Sequence, residues 1–454
     1  MNDSSLMIVA GERSGDILGA ELARALHERL ADLKLFGCGG DAMREAGVDT
    51  GVDAHRLTMM GITEVISGLP RAYRALQTLV AEVDRRRPQL AVLIDFPDFN
   101  LRLAKRLKKR GVRVVYFVSP QVWAWRRGRL RQLRARIEKM LCIFDFEEAI
   151  YRQAGIPVEY VGHPMVDLVR PEMTRQQFFA RVGLDPDETT VALLPGSRAK
   201  EVSHILPTML KTAGRISLNR KVQFVVAASP TLDAGWVEKK LLEPYAGRLT
   251  IRVATHATYD ALRHCDVAIV ASGTATLEAA LCERPMVVVY RLSRLTYRIG
   301  RLLVKVPFYS MVNILAGKQV VPELIQSDFT PARVAGEVEY LLDHSQAREE
   351  MAANLRAVKA RLGPGGAVGR AADAVAESLN SGGRHEESGV RSQNKDRNSR
   401  LVPHVMQLVG FGNNPISTGT YEAKVTTRGQ ESELRNRNGE SVRPYACATR
   451  VVPF

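Results

Sequence analysis

Leu6-Met7-Ile8-Val9-Ala10, followed by Gly11-Glu12-Arg13-Ser14-Gly15-Asp16, is the stretch from which the fold is read. Five apolar residues in a row suit a strand buried on both faces, since a half-exposed strand would alternate apolar with polar. The charged, glycine-containing hexapeptide is a turn, and Leu18, Leu22, Ala25, Leu26 and Leu30 then recur at helical spacing. Strand, turn and helix in that order form the unit of a parallel sheet covered by helices.

The unit recurs along the chain. Apolar strand runs stand at 90–95, 112–119, 140–144 and 158–161, with helical segments at 72–83 and 101–109 between some of them. A second series stands at 190–194, 222–228, 249–253, 267–271 and 286–290. The rhythm breaks around 169–187, where Pro171 and Pro186 flank a charged helix, so 1–170 and 171–380 read as two doubly wound α/β domains. Ligands of such sheets sit outside the carboxyl ends of the strands, and two domains facing each other would enclose a cleft there. From about 381 to 454 Gly, Ser, Asn, Arg and Glu dominate and hydrophobic periodicity fades, which reads as a disordered extension.

At 454 residues, with 45% hydrophobic and 25% charged side chains, the composition is that of a globular protein with a sizeable core. A net charge of +15 favours polyanionic company: nucleic acid, an anionic membrane surface or phosphorylated substrates. Aromatics at 6% argue against an aromatic-lined polysaccharide channel. The five cysteines are scattered without a CxxC pair, so they read as reduced, mostly buried thiols of a cytosolic protein, with neither a zinc site nor a disulfide framework. No apolar run reaches membrane-spanning length, and the first one is too short for a signal peptide, so any membrane contact is expected to be peripheral.

Two turns invite an anion. In Leu193-Leu194-Pro195-Gly196-Ser197-Arg198-Ala199-Lys200-Glu201 a strand closes and a helix opens, offering backbone amides and a positive dipole end. Arg198 adds a two-pronged donor suited to phosphate oxygens. In Ala271-Ser272-Gly273-Thr274-Ala275-Thr276-Leu277-Glu278 small residues let a ligand approach the backbone, and Glu278, one turn into the helix, could accept both hydroxyls of a ribose. Each turn alone also reads as an ordinary helix start. Two in one domain favour a nucleotide diphosphate. No P-loop or GxGxxG spacing supports ATP or NAD.

In the first domain Asp95 ends a strand and faces the expected cleft, where a carboxylate could take a proton from an attacking sugar hydroxyl. Asp98 is a second candidate, or a cap for a helix at Leu101. Glu12, Ser14 and Asp16 occupy the first strand–helix turn, and His163 ends another strand as a second-rank candidate catalyst.

Two basic stretches bear on location. Trp123, Trp125, Arg126, Arg127 and Arg129 continue through Arg131, Arg134 and Arg136, and Arg294, Arg298, Arg301 and Lys305 interleave with apolar residues over 291–307. That mixture suits an interfacial segment on anionic lipid, with nucleic-acid binding or a solvated helix face as rival readings.

Taken together, AGERSGDILGA (10–20), MGITEV (60–65), IDFPDFN (94–100), YFVSPQVWAW (116–125), VGHPM (161–165), LLPGSR (193–198), ASGTATLEAAL (271–281), PMVVVYR (285–291) and NILAG (313–317), followed by VPE (321–323), resemble the lipid-A-disaccharide synthase family. The resemblance covers about 6–375 in unbroken order. It implies a GT-B fold, two Rossmann-like domains facing across a cleft, working without a metal or other cofactor. It also implies the reaction, in which UDP-2,3-diacylglucosamine and 2,3-diacylglucosamine 1-phosphate give the β-1′,6-linked disaccharide 1-phosphate and UDP. Carried over by position, Asp95 resembles the family's general base and Arg198 its UDP-contacting arginine. Ser272, Gly273, Thr274 and Glu278 resemble the nucleotide-sugar loop of GT-B enzymes, Gly196, Ser197 and Glu201 of the 193–201 turn join them as UDP-sugar-binding candidates, and Asn313 falls on a stretch expected to line the cleft. The implied setting is the cytoplasmic face of an anionic inner membrane, with no nucleic-acid partner and with oligomeric state open. Two rivals remain: a UDP-GlcNAc epimerase or soluble-acceptor transferase of similar fold, against which the basic apolar segment speaks, and a nucleic-acid-binding protein, for which no module is recognisable.

Overall fold

The first strand feeds two cores at once. Leu6, Ile8 and Ala10 pack on one face of the sheet and Met7 and Val9 on the other. Leu90, Val92 and Ile94 against Ala91 and Leu93 repeat the arrangement one strand over. Side chains alternate across a strand, so a strand covered on both sides has no polar position to spare. Each such leucine or isoleucine contributes about 2 kcal/mol by leaving water.

In a computed structural model of the chain, the described residues are 5–54, 62–123, 128–229, 232–292 and 307–381. The first sheet is built from β1 (Ser5–Ala10), α1 (Arg13–Arg29), β2 (Lys34–Gly39), α2 (Asp41–Glu45), β3 (Asp49–Asp53), α3 (Ile62–Arg86) and β4 (Leu90–Ile94). It continues with α4 (Pro97–Lys108), β5 (Arg113–Phe117), α5 (Arg129–Arg136), β6 (Lys139–Cys142), α6 (Asp145–Gln153) and β7 (Val158–Tyr160). Short helices α7 (Met165–Leu168) and α8 (Arg175–Val182) follow.

The second sheet begins with β8 (Thr190–Leu194), α9 (Ala199–Ser217), β9 (Gln223–Ala228), α10 (Ala234–Val237), β10 (Ile251–Thr255), α11 (Thr258–His264) and β11 (Val267–Ala271). Then come α12 (Ala275–Leu281), β12 (Met286–Tyr290), α13 (Met311–Ala316) and β13 (Glu323–Ile325). Three helices close the described chain: α14 (Pro331–Asp343), α15 (Ser345–Arg361) and α16 (Ala367–Ser381).

Both sheets are parallel throughout, in the orders β3-β2-β1-β4-β5-β6-β7 and β10-β9-β8-β11-β12-β13. In each, the strand order reverses beside the first strand, between β1 and β4 and between β8 and β11. At such switch points the neighbouring loops diverge to opposite faces and open a crevice. Helix α16 returns to the first sheet: Ala371, Ala372, Ala374 and Val375 are buried in the core that α1 shares with β4 and β5. Arg29 pairs with Asp373 at 2.6 Å, and Arg113 donates to the carbonyls of Ser378 and Leu379.

The chain divides into a unit Met1–Arg397 and a unit Asn398–Phe454, and the second lies outside the described residues. The expected extension past 381, and Arg126, Arg127 and 293–306 of the basic stretches, also fall outside them. Cys38, Cys142, Cys265 and Cys282 are free and buried. Among the described residues no helix is long and apolar enough to cross a membrane.

Candidate active site between the two sheets

Four loops leave the switch points: Gly11–Glu12 after β1, Asp95–Phe96 after β4, 195–198 after β8 and 272–274 after β11. All four are among the loops that the sequence motifs single out. Register puts them side by side, with Ala10 opposite Ile94 and Leu194 opposite Val270. The two pairs face each other, since the Arg198 guanidinium lies 3.7 Å from the Glu12 carboxylate. Glu12 is the N-cap residue of α1 and Arg198 that of α9, so each charge sits on the rim of a helix start. Their side chains are 41% and 49% exposed, which leaves the pair open to a ligand.

Asp95 and Phe96 both take left-handed backbone angles, with φ of 44° and 46°. Such conformations cost about 1–3 kcal/mol per residue unless the surroundings enforce them. Here the Asp95 carbonyl accepts from the Tyr116 hydroxyl at 2.5 Å and from the Asn100 amide at 2.8 Å. The same amide donates to Ile94 O at 3.1 Å, while Asn100 Oδ1 is buried without a partner. The clamp holds the Asp95 backbone in its left-handed conformation at the end of β4. Burial, and then the nearby Glu12 charge, push the Asp95 carboxyl up to about 6, which is the range of a working base.

Gly11 is part of the same construction. A Cβ there would lie 2.1 Å from Phe96 Cδ1, so the β1 and β4 loops can touch only because residue 11 has no side chain. Gly11→Ala is expected to displace Phe96 and unclamp Asp95. Overpacking of this kind costs about 1–3 kcal/mol, and turnover should fall more than the melting temperature suggests. Thermal unfolding and UDP release, measured together, check this.

On the facing side the 195–198 turn closes on itself. Gly196 has φ of 114°, and a Cβ there would collide with Glu201 Oε2 at 2.3 Å. The Glu201 carboxylate accepts from the Ser197 and Arg198 amides and from the Tyr290 hydroxyl, and burial raises its pKa. Two of the amides expected to be free for an anion are thus held by Glu201. Ser197 and Arg198 themselves are exposed. In the second loop Ser272 Oγ donates to Tyr309 O at 3.1 Å, Thr274 is exposed, and a Cβ on Gly273 would meet nothing within 4 Å. Glu278 is partly buried one turn into α12, and burial pushes its carboxyl up to about 7.

The other sequence candidates take different places. Asp98 pairs with Arg129 of α5, and the helix it was expected to cap at Leu101 already opens at Pro97. Asp16 is buried, and its carboxylate accepts from the amides of Gly40, Ala42 and Met43, so it anchors α2 and does not face the cleft. Ser14 is exposed in the first turn of α1. His163 is buried and neutral, its pKa pushed down to about 4 by burial, with Nδ1 accepting from Met165 N at 3.2 Å. Asn313 corrects an expectation. It is fully buried and does not line the cleft, donating to Val321 O and Glu323 and accepting from the amides of Val320 and Val321.

The sequence motifs miss one buried cluster. Glu147 of α6, 1% exposed, accepts from Ser119 Oγ at 2.9 Å and from Trp123 Nε1 at 3.2 Å, and Ser119 Oγ also meets the Tyr151 hydroxyl at 2.6 Å. Its second oxygen is buried without a partner, and burial pushes the carboxyl up to about 7. It fixes the loop after β5 beside Asp95's strand. Folding therefore favours the protonated form, and Glu147 by itself should contribute a loss of about 3 kcal/mol in stability as pH rises from 4.5 through 7. Glu147→Gln should make the pH dependence shallower by that amount while keeping the Ser119 and Trp123 contacts, as denaturant titration of both proteins at several pH values would reveal.

Solved structures with the same two-sheet architecture include UDP-GlcNAc 2-epimerase from Neisseria meningitidis bound to UDP-GlcNAc, with a TM-score of 0.58, 12% identity, and 83% and 100% of the two chains covered. CalG4, the calicheamicin glycosyltransferase, matches with a TM-score of 0.53, 14% identity and coverages of 84% and 99%. At such identities the likeness is one of fold, and with the four facing loops it defines an α/β protein of the GT-B type. The family model described as Lipid-A-disaccharide synthetase matches residues 6–367. The lipid-A-disaccharide synthase of Myxococcus xanthus is 46% identical over 379 residues, 83% of this chain and 98% of its own length. That of Geobacter sulfurreducens is 42% identical over 375 residues, 82% and 97% respectively. The chain belongs to the lipid-A-disaccharide synthase family.

Proposed function

We propose that this chain carries out its family's glycosyl transfer in lipid A biosynthesis, joining UDP-2,3-diacylglucosamine to 2,3-diacylglucosamine 1-phosphate. The observation that carries the assignment of roles is the meeting of Asp95, Glu12 and Arg198 across the cleft. Residues 1–170 form the acceptor side in this reading and 171–380 the donor side, with α16 returning to the former.

The ionised Asp95 carboxylate takes the proton of the acceptor 6-hydroxyl as its oxygen bonds to the donor's anomeric carbon. The bond from that carbon to the UDP oxygen breaks in line, so the configuration inverts in one displacement. Arg198, at the positive end of α9, stabilises the charge growing on the leaving diphosphate. The diphosphate competes with Glu12 for the same guanidinium. Glu278 receives the ribose hydroxyls, and Gly273 leaves room for the backbone to approach. Asp98, Asp16 and His163 hold helices and loops around this centre, and Ser14 stands exposed beside Glu12 on the acceptor side. The enzyme works on the cytoplasmic side of a membrane bearing its acylated substrates, which it touches peripherally.

The test is UDP release from purified protein given both acylated glucosamines, with either one omitted as control. Release that proceeds equally without the acceptor would sink the transferase reading. Conversion of UDP-GlcNAc to its 2-epimer would favour the rival one.

A further inference from the structure

Backbone strain gathers at one place on the carboxyl edge of the first sheet. Asp95 and Phe96 after β4 are joined there by Val118, the residue after β5, with φ of 66°. A β-branched side chain is an outlier at such an angle, and outliers of this kind cluster at ligand sites. Val118 is the next residue after Phe117, whose carbonyl accepts from the Asp95 amide at 2.9 Å, and its own amide reaches Leu141 O at 3.1 Å. The edge runs on through Phe144 after β6 and His163 after β7, three strand spacings or about 14 Å from Asp95.

Aromatic rings follow that edge. Trp123 meets Phe146 edge-on with centroids 5.4 Å apart, Phe146 stacks on Phe144 at 5.7 Å, and Phe144 lies 5.1 Å from His163. Phe144 and His163 are buried, whereas Trp123 and Phe146 are half-buried, so the row has a core end and an open end. Asp145, beside Phe146, lies 3.7 Å from Arg361 at the close of α15, and Arg361 also donates to Leu315 O of α13. The open end therefore fronts the half of the molecule that carries the second sheet.

Core packing accounts for the closed end and leaves the open one unexplained. Beneath the open end sits Glu147, one of whose oxygens takes the Trp123 and Ser119 donors while the other is buried with no partner among the described residues. A half-satisfied interior carboxyl destabilises a fold, and apolar packing would serve stability better. What Glu147 achieves is orientation. An indole N–H tied to a buried oxygen is held in one pose, and Ser119, bonded in turn to Tyr151, links that pose to the strained Val118 turn. The bond also occupies Nε1, the sole polar atom of the Trp123 and Phe146 side chains, so a ligand meets carbon surface there and finds no partner for a sugar hydroxyl. Burial favours the uncharged form of Glu147, which suits rings that receive an apolar group.

We propose that Trp123 and Phe146 form the wall on which an acyl chain of the acceptor lies, and that Glu147 is the positioning residue that sets the indole. The proposal rests on the transferase reading above, and it names which side chains grip the acceptor's apolar part beside the Asp95 base.

The experiment measures UDP release with acceptor analogues bearing decanoyl or butanoyl chains, and calorimetric binding of the decanoyl analogue without donor. Trp123→Ala and Phe146→Ala should each raise KM for the decanoyl acceptor about 30-fold, with kcat and the donor's KM little changed. With the butanoyl acceptor the difference should shrink to about 3-fold or less, since a short chain buries little against the wall. Glu147→Ala should share the decanoyl effect, and Glu147→Gln should restore it, because the amide oxygen still accepts from Ser119 and Trp123. Thermal unfolding checks folding. If Glu147→Ala does not fold, Trp123→Phe takes its place: it keeps a ring, removes the donor to Glu147, and should raise the decanoyl KM with kcat unchanged. An unaltered decanoyl KM in the two ring variants overturns the proposal, as does an equal rise for both chain lengths or for the donor. Glu147→Gln as impaired as Glu147→Ala, or Trp123→Phe equal to wild type, removes the positioning role. Decanoyl binding that weakens as expected in the ring variants, while the wild type releases no UDP, would overturn the transferase reading alone.

Discussion

Asp95→Asn is expected to lower turnover by about 10²- to 10⁴-fold, the contribution of a positioned general base. The amide keeps the size of the side chain and the backbone clamp from Tyr116 and Asn100, so loss of folding does not accompany loss of activity. Stability should move the other way. Folding raises the Asp95 pKa from 3.8 to about 6, so the folded state holds the proton more tightly and stability drops as pH rises through that window. At neutral pH the ionised side chain costs up to about 3 kcal/mol, which the asparagine variant recovers as a higher melting temperature. In the wild type, kcat/KM should fall tenfold per pH unit below about 6, where the base is protonated. A variant with near-normal turnover, or a pH profile flat down to 5, removes Asp95 from the role.

Arg198→Ala is the second large effect, with an expected loss of about 10²–10³ in turnover, comparable to removing one oxyanion donor. Arg198→Lys should recover only part, because a point charge cannot grip two diphosphate oxygens in one plane. A separate readout distinguishes this from general damage. Arg198 is the cation 3.7 Å from Glu12, and Glu12 already raises the Asp95 pKa. With the guanidinium gone the Glu12 charge acts on Asp95 without its counterion, so the acidic limb of the residual activity should shift to higher pH. An unshifted limb would show that the two sides of the cleft are not electrostatically coupled.

Much of this site was legible because it is made at strand ends. A run such as 190–194 or 267–271 is apolar at every position, and the residue that breaks the run marks a loop at the sheet's carboxyl edge. The four switch-point loops therefore announce themselves. Strands β2, β3 and β13 do not: Lys34–Gly39 carries two glycines, Asp49–Asp53 is mostly polar, and Glu323–Ile325 is three residues long. Edge or near-edge positions tolerate such sequences because they have less to bury. The polar side chains were harder. Asp16 and Asn313 are spent on backbone groups of a different segment, and Glu147 meets partners 28 and 24 residues away in Ser119 and Trp123. Nothing local marks a carboxylate as buried. Only the assembled sheet decides which polar groups lose their water.

The return of α16 to the first sheet bears on how the molecule can be cut. Residues 1–170 expressed alone would lack the helix that covers part of β4 and β5, leaving an alanine- and valine-sized strip of α1's core in water and Arg29 and Arg113 without their partners in that helix. A fragment of 171–381 would carry that same helix with nothing to lie against. The covalent order of the chain and the order of its folding units thus differ, and a workable dissection joins 1–170 to the terminal helix through a linker. Length changes near 362–366 would be felt by both halves.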